Sequence, residues 1–409
     1  MQLKLFLFSA DYPYGTGETF LETEINYLAE RFEKIVILTQ NTEGHKARPV
    51  PANCEIKRIN LTVSWLEKIG SLTGVFDAKF WEERNIIKTV YNKKLNKGVI
   101  STMLISLLRA KKTARFTKTL YRYNQQNSKV FFYSYWCDDI ALGIAMFQKK
   151  NPEIHTLSRI HRWDVYFEES EFNYLPYRHY IIDNIGKIFS ISQDGIYYAI
   201  KNWKTNSNQK FVLSRLGVNN SIPFDVSKNK IYLILSCSNL IPVKRVHLIA
   251  EALKEIDNFR IKWVHFGDGL EKKSLEKITE VLPINIEVEF KGSVPNIEIY
   301  TYYNENRPDL FINVSSSEGV PVSIMEAMSF GVPVIGTNVG GVSEIVNGKN
   351  GYLINPNPNP SQIAKKLYDF YILSNKNKLE KKKAAFKTWD NKYNAEKNYT
   401  EFADDILSL

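Results

Sequence analysis

Apolar runs of strand length alternate with stretches of helical spacing, and this alternation restarts near residue 230. With a strand–loop–helix–strand opening, these features predict an α/β protein made of two Rossmann-like parallel-sheet domains that face each other across an interdomain cleft. The opening supplies the first evidence: KLFLFSA ends in the loop ADYPYGTGE, then Phe20, Leu21, Ile25 and Leu28 recur at helical spacing, and IVILTQ follows.

The remaining elements fall into the same two series. VFFYSYW, HTLSRIH and KIFSIS read as further strands of the first sheet. IYLILSCS, IKWVHFG, IEVEFKG, DLFINVS, PVIGTN and GYLIN read as the second, with HLIAEAL as a crossover helix. Asn219, Asn220, Ser221 and Pro223 cluster in a linker over 218–230. The expected domains are 1–218 and 219–388, followed by a helix over 389–409. NPNPNP, 355–360, is a rigid loop.

Composition sets the class. A chain of 409 residues with 44% hydrophobic residues suits two globular domains. No stretch approaches the roughly 18 apolar residues of a membrane span. MQLKLFLFSA reads as a first strand, because its charge is poorly placed and its apolar run too short for a signal peptide. Cys54, Cys137 and Cys237 are scattered and odd in number, which argues for a reducing compartment and against a zinc site. The net charge of +10 is local: residues 84–129 carry twelve Lys and Arg and no Asp or Glu, so the rest of the chain sums to 10 − 12 = −2. This segment also interleaves Ile86, Ile87, Tyr91, Leu104, Leu107, Leu108, Phe116, Leu120 and Tyr121, the pattern of a basic amphipathic helix on an anionic membrane. The plain alternative is a solvated helix face. No nucleic-acid motif accompanies it, and no nucleic-acid partner is expected.

In open parallel sheets, ligands bind beyond the carboxyl ends of strands. One such end is rich in chemistry. DLFINVS leads into Ser-rich residues, then Glu318-Gly319-Val320, with Pro321 expected in the first turn of a helix closed by Gly331 and Pro333. Free N–H groups and a positive dipole end there suit a phosphate. Glu318 and Glu326, eight positions apart, can each accept two hydrogen bonds from a diol. The plain alternative is a helix cap with a surface glutamate.

That segment resembles the E-x(7)-E signature of family-4 retaining glycosyltransferases of the GT-B fold, the bacterial surface-polysaccharide type. NLIPVKRVHLIAEAL, VHFGDGLE, FKGSVPNIEIYTYY, VGGVSEIV and NGYLI resemble further family segments in family order, as do ADYPYGTGETF, SRIHRWDVYFE and SRLGV in the first half. The resemblance implies a retaining, metal-independent enzyme moving a hexose or N-acetylhexosamine from a UDP-sugar, or from GDP-mannose, to a glycan or lipid-linked acceptor. It also implies that 1–218 is the acceptor side, that 219–388 binds the nucleotide sugar, and that the 389–409 helix returns to the first domain. It implies that Glu318 holds donor-sugar hydroxyls, Glu326 the ribose, and Lys244 the diphosphate, aided by the backbone of Gly319 and Val320. His161 would contact the donor sugar, and Gly15 and Gly17 would let the first loop approach the substrates; Gly267 belongs to the G-x-G turn. Asn239 stands where the family has an arginine, and Arg245 is the candidate to supply the missing charge. Asp138-Asp139 is adjacent and helical, so no Asp-x-Asp metal motif is found; neither a metal nor a cofactor is expected beyond the nucleotide sugar as co-substrate. The implied location is cytoplasmic, peripheral at the inner face of the cell membrane. Tyr133, Tyr135 and Trp136 are candidates to stack on an acceptor sugar, with core packing the alternative for two of them. Competing readings are a GT-B-fold epimerase or phosphorylase, and a non-catalytic homologue that binds nucleotide sugar or membrane. The presence of Glu318, Glu326, Lys244 and His161 together argues against the last.

Overall fold

The computed structural model describes residues 2–15, 17–40, 47–205, 207–220 and 231–409. The chain divides into two compact units, residues 1–216 with 395–409, and residues 217–394. Of the expected linker, residues 221–230 lie outside the described residues.

The first unit holds a seven-stranded parallel sheet of β1 (Gln2–Ser9), β2 (Lys34–Thr39), β3 (Cys54–Arg58), β4 (Ser128–Ser134), β5 (His155–Ile160), β6 (Lys187–Ser190) and β7 (Phe211–Leu213), in the order β3-β2-β1-β4-β5-β6-β7. Alternation along the strands divides the side chains between two cores. Leu5, Leu7, Ile35, Ile37, Phe131 and Tyr133 pack on one face, and Phe6, Phe8, Val36, Leu38, Val130 and Phe132 on the other. The returning helix Ala395–Leu407 lies in this unit, six residues beyond the expected start at 389. It packs on helix Thr19–Arg31, with the Tyr27 and Tyr399 rings 5.8 Å apart and Arg31 Nε 2.7 Å from Asp404 Oδ1.

The second unit repeats the plan with β8 (Tyr232–Cys237), β9 (Ile261–Phe266), β10 (Ile286–Gly292), β11 (Leu310–Asn313), β12 (Val334–Thr337) and β13 (Gly351–Ile354), in the order β10-β9-β8-β11-β12-β13. All its strand pairs are parallel. The expected fold of two Rossmann-like sheets is therefore present. β3 and β7 are additions to the sequence reading, and both stand at the edges of the first sheet.

The basic segment differs from expectation. It forms the end of helix Ala78–Thr89 and the whole of helix Lys97–Asn124. Ile87, Tyr91, Leu104 and Leu107 are buried in one core, while Phe116, Leu120 and Tyr121 pack against another. Its apolar face is thus turned inward, and 84–129 is not by itself a membrane-facing amphipathic helix. Among the described residues no helix is long and apolar enough to cross a membrane.

A fully buried ion pair crosses the first unit. Arg159 on β5 has Nη2 3.3 Å from Glu24 Oε2, Glu24 also accepts from Tyr133 Oη at 2.9 Å, and the Phe402 ring covers the guanidinium at 4.1 Å. Removing one partner strands the other's charge in the core. Glu24→Ala is therefore expected to destabilise the chain by about 3–5 kcal/mol, seen as a lower urea midpoint. A midpoint equal to wild type would remove the pair from the list of what holds this unit together.

Candidate functional site

In both sheets the strand order reverses once, between β1 and β4 and between β8 and β11. Loops on either side of such a switch diverge and leave a crevice where ligands bind. The sequence-predicted residues collect at these two places, one in each unit.

In the second unit the loop after β8 carries the short 3-10 turn Pro242–Lys244, and the loop after β11 carries Glu318. Ser316 N–H donates to Val243 O at 2.8 Å and zips the two loops together. Lys244 Nζ then stands 2.6 Å from Glu318 Oε1, which also accepts from Asn313 Nδ2 at 3.3 Å. Glu318 is nearly buried, with 9% exposure, so this charge-assisted contact is screened less than a surface pair. Behind it, Gly340 adopts φ 47°, and a Cβ there would stand 1.9 Å from Glu318 O. Gly341 N–H donates to Gly319 O at 2.8 Å, so the two glycines grip the backbone that presents Glu318.

The N–H groups of Gly319 and Val320 donate to no acceptor among the described residues. They precede helix Val322–Ser329. Pro321 is its N-cap, one place earlier than the first turn where the sequence put it. Gly331, at φ 68°, follows the helix end, with its N–H on Met328 O at 2.9 Å. Glu326 lies on the helix, 4% exposed, and accepts from Asn296 Nδ2 at 2.6 Å. Burial pushes its carboxyl up to about 7, against the opposing effect of the Asn296 hydrogen bond. Gly267 closes the neighbourhood: a Cβ on it would stand 1.9 Å from Ser238 O, so only glycine lets the loop after β9 reach the loop after β8. Asn239 sits in that loop with its side chain exposed.

Arg245 is a correction. It was expected on the phosphates beside Lys244. Its guanidinium instead donates to Val314 O at 2.8 Å, Ser315 O at 2.9 Å, Pro356 O at 2.7 Å and Asn357 Oδ1 at 3.0 Å. A left-handed backbone at Arg245, φ 50°, turns it away from its neighbour and into the scaffold. It fixes loops, and leaves Lys244 as the cation of the cluster.

In the first unit a residue that sequence reasoning missed organises the crevice. Glu18 accepts from the N–H groups of Ala10, Asp11 and Tyr12 at 2.8, 2.8 and 2.7 Å, and from Trp136 Nε1 at 2.7 Å. One carboxylate therefore joins the loop after β1 to the loop after β4. Gly15, with φ 66°, and Gly17, whose Cβ position lies 3.5 Å from Asp11 Oδ2, shape the same loop. Trp136 in turn packs on His161, with ring centroids 4.4 Å apart, and on Trp163 at 5.1 Å. His161 is 7% exposed and neither ring nitrogen has a hydrogen-bond partner; Nδ1 lies 3.8 Å from Asp164 Oδ2. Asp164 orients the loops, accepting from His161 N–H at 2.8 Å and Cys137 N–H at 3.0 Å. Tyr133 and Tyr135 are buried in the core, which leaves Trp136 and the 44%-exposed Trp163 as the aromatic surface. The signal for Glu18 was present in GTGETF, a carboxylate directly after a glycine loop.

Residues 219–388 match the family described as glycosyl transferases group 1. A sulfoquinovosyl transferase of Arabidopsis thaliana is 32% identical over 117 residues, 28% of this chain and 21% of its own. The O-antigen biosynthesis glycosyltransferase WbnH of Escherichia coli is 28% identical over 183 residues, 42% of this chain and 49% of its own. The matches thus span from about a fifth to about half of the length of these curated relatives. The crystal structure of Anabaena HepE in complex with UDP superposes over 100% of both chains with a TM-score of 0.67 at 16% identity. Its likeness carries the fold alone, and that fold is GT-B.

The Arg245 clamp makes a distinct prediction. Arg245→Lys keeps the charge and loses the fork that reaches four acceptors, so it should destabilise the chain by about 2–4 kcal/mol, measured by thermal or urea unfolding. Full stability in the lysine variant would mean that charge, and not the fork, is what the position supplies.

Proposed function

We propose that this chain is a retaining, metal-independent glycosyltransferase that moves a hexose or N-acetylhexosamine from a nucleotide diphosphate sugar, a UDP-sugar in preference to GDP-mannose, to a glycan or lipid-linked acceptor in surface-polysaccharide synthesis. The observation that carries this reading is the Lys244–Glu318 pair at the switch point, beside the unpartnered N–H groups of Gly319 and Val320. It lies inside the segment that matches the glycosyltransferase family.

In this reading Lys244 and the two N–H groups receive the diphosphate, and Glu318, released from Lys244, accepts hydrogen bonds from the hydroxyls of the transferred sugar. Glu326 accepts from the ribose. As the bond from the anomeric carbon to phosphate oxygen breaks, negative charge grows on the leaving diphosphate, where Lys244 stabilises it. The acceptor hydroxyl attacks the same face, its proton passes to the departing phosphate oxygen, and the products are a glycoside and a nucleoside diphosphate. This sequence needs no protein nucleophile and places no metal in the path. The first unit takes the acceptor, with the Glu18-held loop and the Trp136–Trp163 surface as its binding face, and His161 is assigned to the transferred sugar.

Glu318→Ala is expected to lower transfer by about a hundredfold or more, with folding retained, in an assay of nucleoside diphosphate release from a panel of nucleotide sugars. Wild-type turnover in that variant would sink the reading. Glu326 adds a pH test. Its carboxyl is held up at about 7, so the acceptor form is lost as pH falls through 7. UDP affinity should weaken from pH 8 to 6 in the wild type and change less in Glu326→Gln. Parallel titrations of the two proteins would remove the ribose role.

A further inference from the structure

Outside both crevices, the first unit carries a surface whose polarity is inverted. Helix Trp65–Gly70 has no buried residue, yet Trp65, Leu66 and Ile69 are 69%, 66% and 53% exposed. In the 3-10 turn that follows, Ser71–Phe76, Leu72 and Phe76 are 60% and 89% exposed. The residues turned inward are the small ones, Ser71 and Gly74. Gly74 lies so close to helix Lys97–Asn124 that a Cβ there would stand 2.9 Å from Leu104 Cδ2. A helix facing water does the reverse, and a contiguous apolar surface of this kind marks an interaction site. Trp81, 49% exposed, extends it.

The surface is built, not loose. Ser64 and Glu67 form a capping box, Lys112 Nζ bridges Glu67 Oε1 at 2.5 Å and Thr62 O at 2.9 Å, and Lys111 Nζ reaches Asp77 Oδ2 at 2.6 Å. These contacts seat the apolar segment on helix Lys97–Asn124. From Lys111, the cations Arg115, Lys118 and Arg122 recur at i+4, i+7 and i+11, on one stripe of that helix. The last three are exposed and pair with no carboxylate among the described residues. Arg84 covers the Trp81 ring at 5.1 Å.

We infer that residues 65–81, with the Arg115–Lys118–Arg122 stripe beside them, form a face that docks on an anionic lipid surface. Indole and phenyl rings with Leu and Ile enter the headgroup boundary, and the neighbouring cations meet lipid phosphates. A second copy of the chain would bring the same positive stripe with it, so charge complementarity selects an anionic surface over self-association. The inference stands apart from the proposed chemistry, since none of these residues belongs to either crevice.

The test is co-sedimentation of the full chain with vesicles of phosphatidylcholine, with and without phosphatidylglycerol, read alongside tryptophan emission and sedimentation velocity. Wild type is expected to partition onto the anionic vesicles with a blue shift, and to be released by salt. Trp65→Ser combined with Phe76→Ser, and separately the triple change of Arg115, Lys118 and Arg122 to Gln, should each lower partitioning about tenfold or more, with an unchanged melting temperature. Lipid-independent self-association abolished by the Trp65/Phe76 variant would overturn the inference in favour of a dimer contact. Absence of vesicle binding, or binding untouched by both variants, would overturn it outright.

Discussion

Arg245 is the constraint on which the site of the second unit hangs. Its guanidinium holds the carbonyls of Val314, Ser315 and Pro356 and the side chain of Asn357, so the end of β11, the loop after β13 and the turn after β8 move together or not at all. A planar fork with five donors can satisfy this many acceptors at once, which an ammonium cannot. Lys244, the preceding residue, projects separately because the backbone at Arg245 is left-handed. The adjacent cations thus divide the work: one fixes the walls, and the other meets Glu318.

Much of this was legible in the sequence, for identifiable reasons. Central strands buried on both faces are continuous apolar runs, so LFLFS, VFFYS and YLILSC declared themselves. β3 and β7 escaped because these edge strands bury less: neither CEIKR nor FVL contains a fully buried residue, and FVL is only three residues long. The Glu318–Glu326 spacing and the position of Lys244 were readable from motif order. The direction of the Arg245 side chain was not, because it follows from a positive φ at a non-glycine residue, which composition does not announce. Glu18 was missed although it directly follows a glycine loop, because three of its four partners are backbone N–H groups, which carry no sequence signature of their own. The basic segment misled in a more instructive way. Its charge was real, but its apolar residues serve the core, and the exposed apolar surface lies in the segment just before it.

The two crevices share a device with different consequences. Each holds a glutamate carboxylate on the donors left at a switch point. Glu18 has four charge-assisted partners, each worth about 1.5–3 kcal/mol, and three are backbone groups that have no alternative nearby. It is permanent scaffolding. Glu318 has one ammonium and one long amide contact. An incoming anion can compete for the ammonium, which makes this carboxylate exchangeable.

The Phe402 ring over Arg159 has a consequence for biosynthesis. The guanidinium that pairs with Glu24 is covered by a residue translated after the whole second unit, and Phe402, Ala403 and Ile406 pack in one core with Leu5. The first unit is therefore interrupted in the chain by the second, and is completed only after the second has been made. Until residues 395–409 are made, one face of its sheet lacks the cover of Phe402, Ala403 and Ile406.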